Sequence, residues 1–194
     1  MGKSITKEEL SKYPKEEFSG DIFLVDSLRS SKMAYEVLSR EKMLGFDTES
    51  RPSFHKGSVN NVALIQISTE NLCCLFRLNK TGYLPHLIDI LTNPNILKIG
   101  LSLRDDFRNM NKTLKFEPQG FIDLQNIVAG YGIDELSLQK IYALLFHKKI
   151  SKNQRLTNWE AQYLTEQQMS YAALDAWACL KIYRHLCRLK NESV

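Results

Sequence analysis

No apolar stretch in this sequence approaches the roughly 20 residues that cross a bilayer. The longest apolar runs, Val62 to Ile67 and Leu84 to Leu91, are short or broken by polar residues, which excludes a transmembrane helix. The N-terminus, Met1 to Leu10, lacks the apolar core and small-residue cleavage site of a secretory signal, so a cytoplasmic location is the default expectation. Cysteine is scarce: Cys73, Cys74, Cys179 and Cys187 form no CxxC pair and no Cys/His spacing suited to structural zinc. They are expected to be reduced thiols in the core. Neither GxGxxG nor GxxxxGK[ST] occurs, so a dinucleotide-binding or P-loop protein is a poor candidate. His55, His86, His147 and His185 show no spacing that suggests a ligand set. There is no internal repeat, low-complexity tract or interdomain linker.

What remains is the composition of an ordinary globular protein. The chain has 194 residues, 43% hydrophobic and 25% charged, which suits one domain with a sizeable core. Its net charge of +4 is a modest basic excess, compatible with a polyanionic partner but found in many proteins without one.

Residues 1–20 form an N-terminal extension in which Thr6-Lys7-Glu8-Glu9 fits a capping box and Pro14 ends a short helix. Residues 21–194 read as a single domain. A strand at Ile22 to Val25 and a helix at Lys32 to Arg40 lead to an alternating strand, Met43 to Glu49. Two runs, Asn61 to Ser68 and Leu72 to Leu78, should pair as a hairpin onto that strand. A helix at Leu84 to Leu91, a strand at Ile96 to Gly100 and a helix at Leu103 to Asn111 follow. Phe121 to Leu124 reads as a last short strand, followed by helical pieces at Leu124 to Ala129 and Leu138 to Leu145. A basic loop from His147 to Arg155 precedes the longest helix, which opens on a second capping box at Thr165 to Gln168. A hairpin set followed by strand–helix alternation implies an α/β fold: a mixed sheet flanked by helices.

Four acids stand out against this pattern. Asp47 and Glu49 lie two apart in a hydrophobic strand and so project from one side of the sheet. Carboxylates about 4 Å apart repel by about 4 kcal/mol at an effective dielectric near 20, so they must protonate, pair with cations or bind metal. The plainer alternative is a solvent-exposed pair at a strand end. In Asp105-Asp106, Asp105 is expected to bond back to an N-cap at Ser102, whereas Asp106 has no such structural task beyond a favourable charge at a helix start. Asp175 shares a helical face with Tyr171, Ala178 and Ile182. A lone acid among apolar neighbours needs a partner, unless that face is half-exposed and the acid solvated.

Taken together, Phe46-Asp47-Thr48-Glu49, Gly100-Leu101-Ser102-Leu103-Arg104-Asp105-Asp106 and Tyr171-Ala172-Ala173-Leu174-Asp175 resemble the three motifs of the DEDDy 3'-5' exonucleases. The resemblance is to the ribonuclease D and Werner-syndrome-type group and covers roughly Phe18 to Leu189. It implies a ribonuclease H-like fold and a metal-dependent 3'-5' exonuclease that hydrolyses phosphodiester bonds at the 3' end of DNA or RNA. Asp47, Glu49 and Asp175 would hold one divalent ion, Asp47 would also reach a second, and Asp106 would support that second ion mainly through water. Tyr171 would orient the attacking water. The sister subgroup carries a histidine five residues before the last aspartate, where this chain has Ser170.

The implied cofactors are two Mg²⁺ or Mn²⁺ ions, which all-oxygen ligands favour. The implied partner is single-stranded or 3'-recessed nucleic acid. Lys148, Lys149, Lys152 and Arg155 are candidates to grip phosphates, against the alternative of a solvated basic loop. Phe54 and Leu64 are candidates to stack on or wedge the terminal base, although core packing suits Leu64 better. The chain departs from ribonuclease D-like sequences at Ser50-Arg51-Pro52, where an aromatic residue is common, and at Tyr163-Leu164, where proline–leucine is common. It also leaves no length for the helical nucleic-acid-binding domains such proteins frequently add. A catalytically silent nucleic-acid-binding module on the same fold is the alternative from a different functional class.

Overall fold

The computed structural model describes residues 2–52 and 60–192. Helix α1 (Lys7–Lys12) starts at the Thr6 capping box, in which the Thr6 side chain accepts from Glu9 N and Glu9 reaches back to Thr6 N. Strand β1 (Asp21–Val25) leads to α2 (Leu28–Leu38). That helix begins four residues before the expected Lys32, because Ser27 and Ser30 form a reciprocal cap of their own. A serine at the third helical position does the work of the usual glutamate, which is why the start was hidden.

Strands β2 (Met43–Ser50), β3 (Val62–Ser68) and β4 (Leu72–Arg77) form an antiparallel set. The β3–β4 turn is closed by Thr69, whose hydroxyl accepts from Leu72 N at 3.0 Å. A single-turn helix, α3 (Leu78–Thr81), is followed by α4 (Pro85–Thr92), β5 (Leu97–Gly100), α5 (Leu103–Met110) and β6 (Phe121–Asp123). Two 3₁₀ turns, 124–126 and 128–131, then precede α6 (Leu138–Phe146) and α7 (Glu166–Glu192). The second expected capping box is present at the head of α7: Thr165 N donates to Gln168 Oε1 at 3.0 Å and Gln168 N to Thr165 Oγ1 at 3.1 Å.

One cap differs from expectation. Ser102 precedes α5 but sits in the left-handed region at φ 63° and makes no side-chain cap. The cap comes from Asp123 at the end of β6, whose carboxylate accepts from Ser102 N at 3.0 Å and Leu103 N at 2.9 Å. Asp105 is therefore released from capping and pairs instead with Arg108 at 3.2 Å, on the surface.

The six strands run in the order β1-β4-β3-β2-β5-β6. β1 pairs parallel to β4, and β5 and β6 continue parallel from β2, giving the mixed sheet expected. One face carries Leu44, Phe46, Ile65 and Ile67 and packs with Leu38 of α2, Leu87 of α4 and Leu103 of α5. The other face carries Leu64, Cys73 and Leu75 and is covered by Ala172, Ala173 and Ala176 of α7. Three of the cysteines are buried and Cys187 is half-buried; all four are free.

Small residues bring α7 against the sheet. A Cβ placed on Gly45 would lie only 2.0 Å from the Ala176 carbonyl oxygen. Only a residue without a side chain fits at the middle of β2 there. Gly45→Ala is therefore expected to push α7 off β2 and to destabilise the fold by about 2 kcal/mol, in line with core overpacking. A denaturant melt checks this, and an unchanged midpoint would contradict it.

Candidate active site

Asp47 and Glu49 approach the C-terminal end of β2, opposite Gln66 and Leu64 of β3 in the strand register. The register shifts between Glu49 and Ser50, an irregularity of the kind that re-aims side chains near sites. Asp175 comes down from α7, next to the Ala176 that touches Gly45. One carboxylate oxygen from each of Asp47, Glu49 and Asp175 lies within 4.8 Å of the other two. Glu49 and Asp175 are buried, at 8% and 7% exposure, so neither the exposed strand-end pair nor the solvated helical acid describes them.

Asp106 stands at the edge of this trio. It comes from α5, and its Oδ1 accepts a hydrogen bond from Thr48 Oγ1 at 2.5 Å. Thr48, between the two acids of β2, points to the opposite side of the strand, and so one tripeptide addresses both the trio and the fourth acid. Sequence reasoning assigned nothing to Thr48; its place inside the motif was the available signal. It likewise missed Asp123, which sets the start of α5.

The electrostatics are those of anions crowded out of water. Burial, then the charges of Asp175, Glu49 and Asp106, raise Asp47 well above the usual carboxylate range. Burial and the same kind of repulsion, from Asp175 and Asp106, push Glu49 up to about 9 despite the opposing Arg155 guanidinium. Asp106 is pushed to about 7 by burial, against the Thr48 hydrogen bond. Asp175 also reaches about 7 through burial, with Tyr171 and Lys152 pulling the other way. Tyr171, one turn earlier on α7, directs its hydroxyl at the Asp175 carboxylate, while its ring lies 6.1 Å from that of the buried Trp159. Burial and the neighbouring acids raise its phenol, which keeps the hydroxyl protonated and able to donate a hydrogen bond.

Asp175 Oδ1 is buried and has no hydrogen-bond partner. A buried carboxylate oxygen without a donor, on a residue grouped with two further carboxylates, fits a hard divalent cation.

A family model described as 3'-5' exonuclease matches residues 22–189. The chain belongs to the 3'-5' exonuclease family. Among similar proteins, Exonuclease 3'-5' domain-containing protein 2 of Drosophila melanogaster is 32% identical over 151 residues, covering 76% of this chain and 26% of that protein. The Bifunctional 3'-5' exonuclease/ATP-dependent helicase WRN of Mus musculus is 30% identical over 202 residues, covering 98% of this chain and 14% of that protein. The chain thus spans a small part of the length of these relatives.

Solved structures agree on the fold. The Nibbler EXO domain of Aedes aegypti superposes with a TM-score of 0.78 at 23% identity, covering 93% of both chains. RNase D of Escherichia coli gives 0.75 at 23% identity, covering 88% of this chain and 45% of that one. The sheet is the ribonuclease H-like one of these exonuclease domains.

The expected substrate contacts fall into distinct places. Lys148 pairs with Glu16 at 2.9 Å, and Lys149 donates to the Ser11 carbonyl, so both hold the N-terminal segment. Lys152 and Arg155 are exposed and act electrostatically on Asp175 and Glu49. Leu64 is fully buried among Leu75, Ala172 and Ala173, which is the core-packing role and leaves it no surface for a base. Phe54 and His55 lie outside the described residues. No helix among the described residues is long and apolar enough to cross a membrane.

The raised carboxyls have a consequence for stability. Without metal, these acids are neutral in the fold at pH values where the unfolded chain ionises them. The stability they permit is complete below their ordinary values of 3.8 and 4.5, and it is lost as pH rises through about 7 for Asp106 and Asp175 and about 9 for Glu49. The melting temperature of metal-free protein should therefore fall between pH 5 and pH 9. Added Mg²⁺ or Mn²⁺ should raise it most at the alkaline end, and less in Asp47→Ala. Calorimetry showing no shift with either ion at alkaline pH would contradict this.

Proposed function

We propose that the chain is a catalytically active, divalent-metal-dependent exonuclease that removes nucleotides from the 3' end of DNA or RNA. The observation that carries this is the convergence of half-buried Asp47 with buried Glu49 and Asp175, mutually repelling, with one Asp175 oxygen left unpartnered. That repulsion is relieved when cations fill the site, which favours a metal-dependent site over a metal-free binding module.

Asp47, Glu49 and Asp175 would hold one ion; Asp47 would reach a second, supported by Asp106. Two Mg²⁺ or Mn²⁺ ions held there would supply an activated water and charge stabilisation for the entering and leaving oxygens of an in-line phosphoryl displacement. The Thr48 hydroxyl holds Asp106 in place. Tyr171, kept protonated, would orient the attacking water, and its ring is steadied by Trp159. The substrate would be single-stranded or 3'-recessed nucleic acid, with Lys152 and Arg155 the cations closest in effect to the acids and Lys148 and Lys149 further along the same loop. Residues 21–194 would form the catalytic domain, preceded by the 1–20 extension.

A time course on 3'-labelled and 5'-labelled DNA and RNA strands tests this. Wild type should give a stepwise ladder from the 3' end with Mg²⁺ or Mn²⁺ and none with chelator. Asp47→Ala should lose at least about 1,000-fold in rate, and Tyr171→Phe about 100-fold, the scale of a lost charge-stabilising group and a lost positioning contact. Activity untouched in both variants would remove the site assignment.

A further inference from the structure

The N-terminal segment is tied into the domain at several points between Gly2 and Glu16. Lys3 N donates to Gly132 O at 2.6 Å and Asp134 N returns to Lys3 O at 3.0 Å. Further on, Lys149 N donates to Pro14 O and Glu16 N to Lys149 O, each at 2.9 Å. Ile5 and Leu10 are buried with Ala143 of α6. Glu16, 8% exposed, accepts from Tyr142 Oη at 2.5 Å, Lys148 Nζ at 2.9 Å and Lys181 Nζ at 3.1 Å. Burial opposes its charge, but these three donors hold it down to about 2.

Docked in this way, α1 forms one wall of an open groove of about 570 Å³, whose other wall is the basic loop. The groove is lined by Lys7 and Leu10 of α1 and by Lys149, Lys152, Arg155 and Leu156, with no acidic residue. Leu156 is 64% exposed, an apolar surface amid cations that suits the face of a base. Lys152 and Arg155, which line the groove, are also the cations whose charge reaches Asp175 and Glu49, so the end of the groove that they form lies toward the acids. The pocket on the other side of the loop, beside Tyr171, is different: Glu17 and Glu166 line it together with Lys15. A polyanion leaving the site meets uncompensated positive charge on the α1 side and acids on the other.

We infer that the groove between α1 and the 147–156 loop binds the phosphate backbone of a nucleic-acid strand a few nucleotides from its reacting end, with Lys7 of the N-terminal segment as a contact. The inference rests on the exonuclease reading above and adds to it a path and a second wall.

The test compares Lys7→Glu with Arg29→Glu, an equal charge reversal on the exposed face of α2. Each protein is assayed with Mn²⁺ on a dinucleotide, too short to enter the groove, and on a single strand of about 12 nucleotides, which spans a typical single-strand site. The preference for the longer strand should drop about fivefold in Lys7→Glu, and the salt slope of strand binding in chelator should flatten by about 0.7, the loss of one phosphate contact. Arg29→Glu should change neither. Equal effects of the two reversals, or no change in Lys7→Glu, would overturn the groove. If wild type hydrolyses neither substrate, the exonuclease reading fails by itself, and the salt slope in chelator still decides whether the strand lies on α1.

Discussion

Helix α7 lies so close to β2 that the carbonyl of Ala176 fills the space a side chain at position 45 would need. This contact governs the rest of the molecule, because Asp175 is the neighbour of Ala176 and Asp47 is two residues beyond Gly45. The acids of the strand and the acid of the helix meet only if helix and strand are in near-backbone contact. Alanines at 172, 173 and 176 allow that approach, and Leu180, Ile182 and Leu186 of α7, buried with Ile99 of β5 and Ile141 of α6, provide the burial that holds it.

The approach works against stability at the place where it produces the site. Carboxylates that burial raises to about 7, and burial together with neighbouring acids to about 9, are held together by packing and not by their own interactions. Such strain is typical of functional sites, where the surrounding core over-determines an arrangement the local groups would not choose. Lys152 and Arg155 offset part of the charge from outside, while Thr48 and Tyr171 each fix one acid by a hydroxyl. The site is thus a small set of anions with cations at its rim, an arrangement suited to metal ions within and a polyanion alongside.

The same basic loop does two jobs at once. Lys148 and Lys149 fasten the N-terminal segment through Glu16 and the carbonyl of Ser11, whereas Lys152 and Arg155 remain exposed beside the acids. In the sequence these four are indistinguishable members of one charge run. What separates them is the N-terminal segment, whose Glu16 and Ser11 lie 132 and 138 residues from Lys148 and Lys149 along the chain.

Local rules carried much of this protein. The alternation Met43 to Glu49 specified a strand with two acids on one face, the capping boxes at Thr6 and Thr165 marked two helix starts, and the hairpin followed from the three-residue gap at 69–71. These are short-range effects of backbone sterics and hydrogen bonding, legible wherever the key residues are the usual ones. The start of α2 was missed because a serine replaced the usual glutamate, and the cap of α5 because it is supplied by Asp123, 21 residues from Ser102. The residues of the site were legible as a motif, through the family resemblance that their order carries. Their convergence was decided by tertiary packing alone, since the distance between Asp47 and Asp175 depends on how closely a glycine in one element lets another approach. The burial of Leu64, the splitting of the basic loop and the docking of α1 were settled in the same way, by contacts between residues that no local pattern brings together.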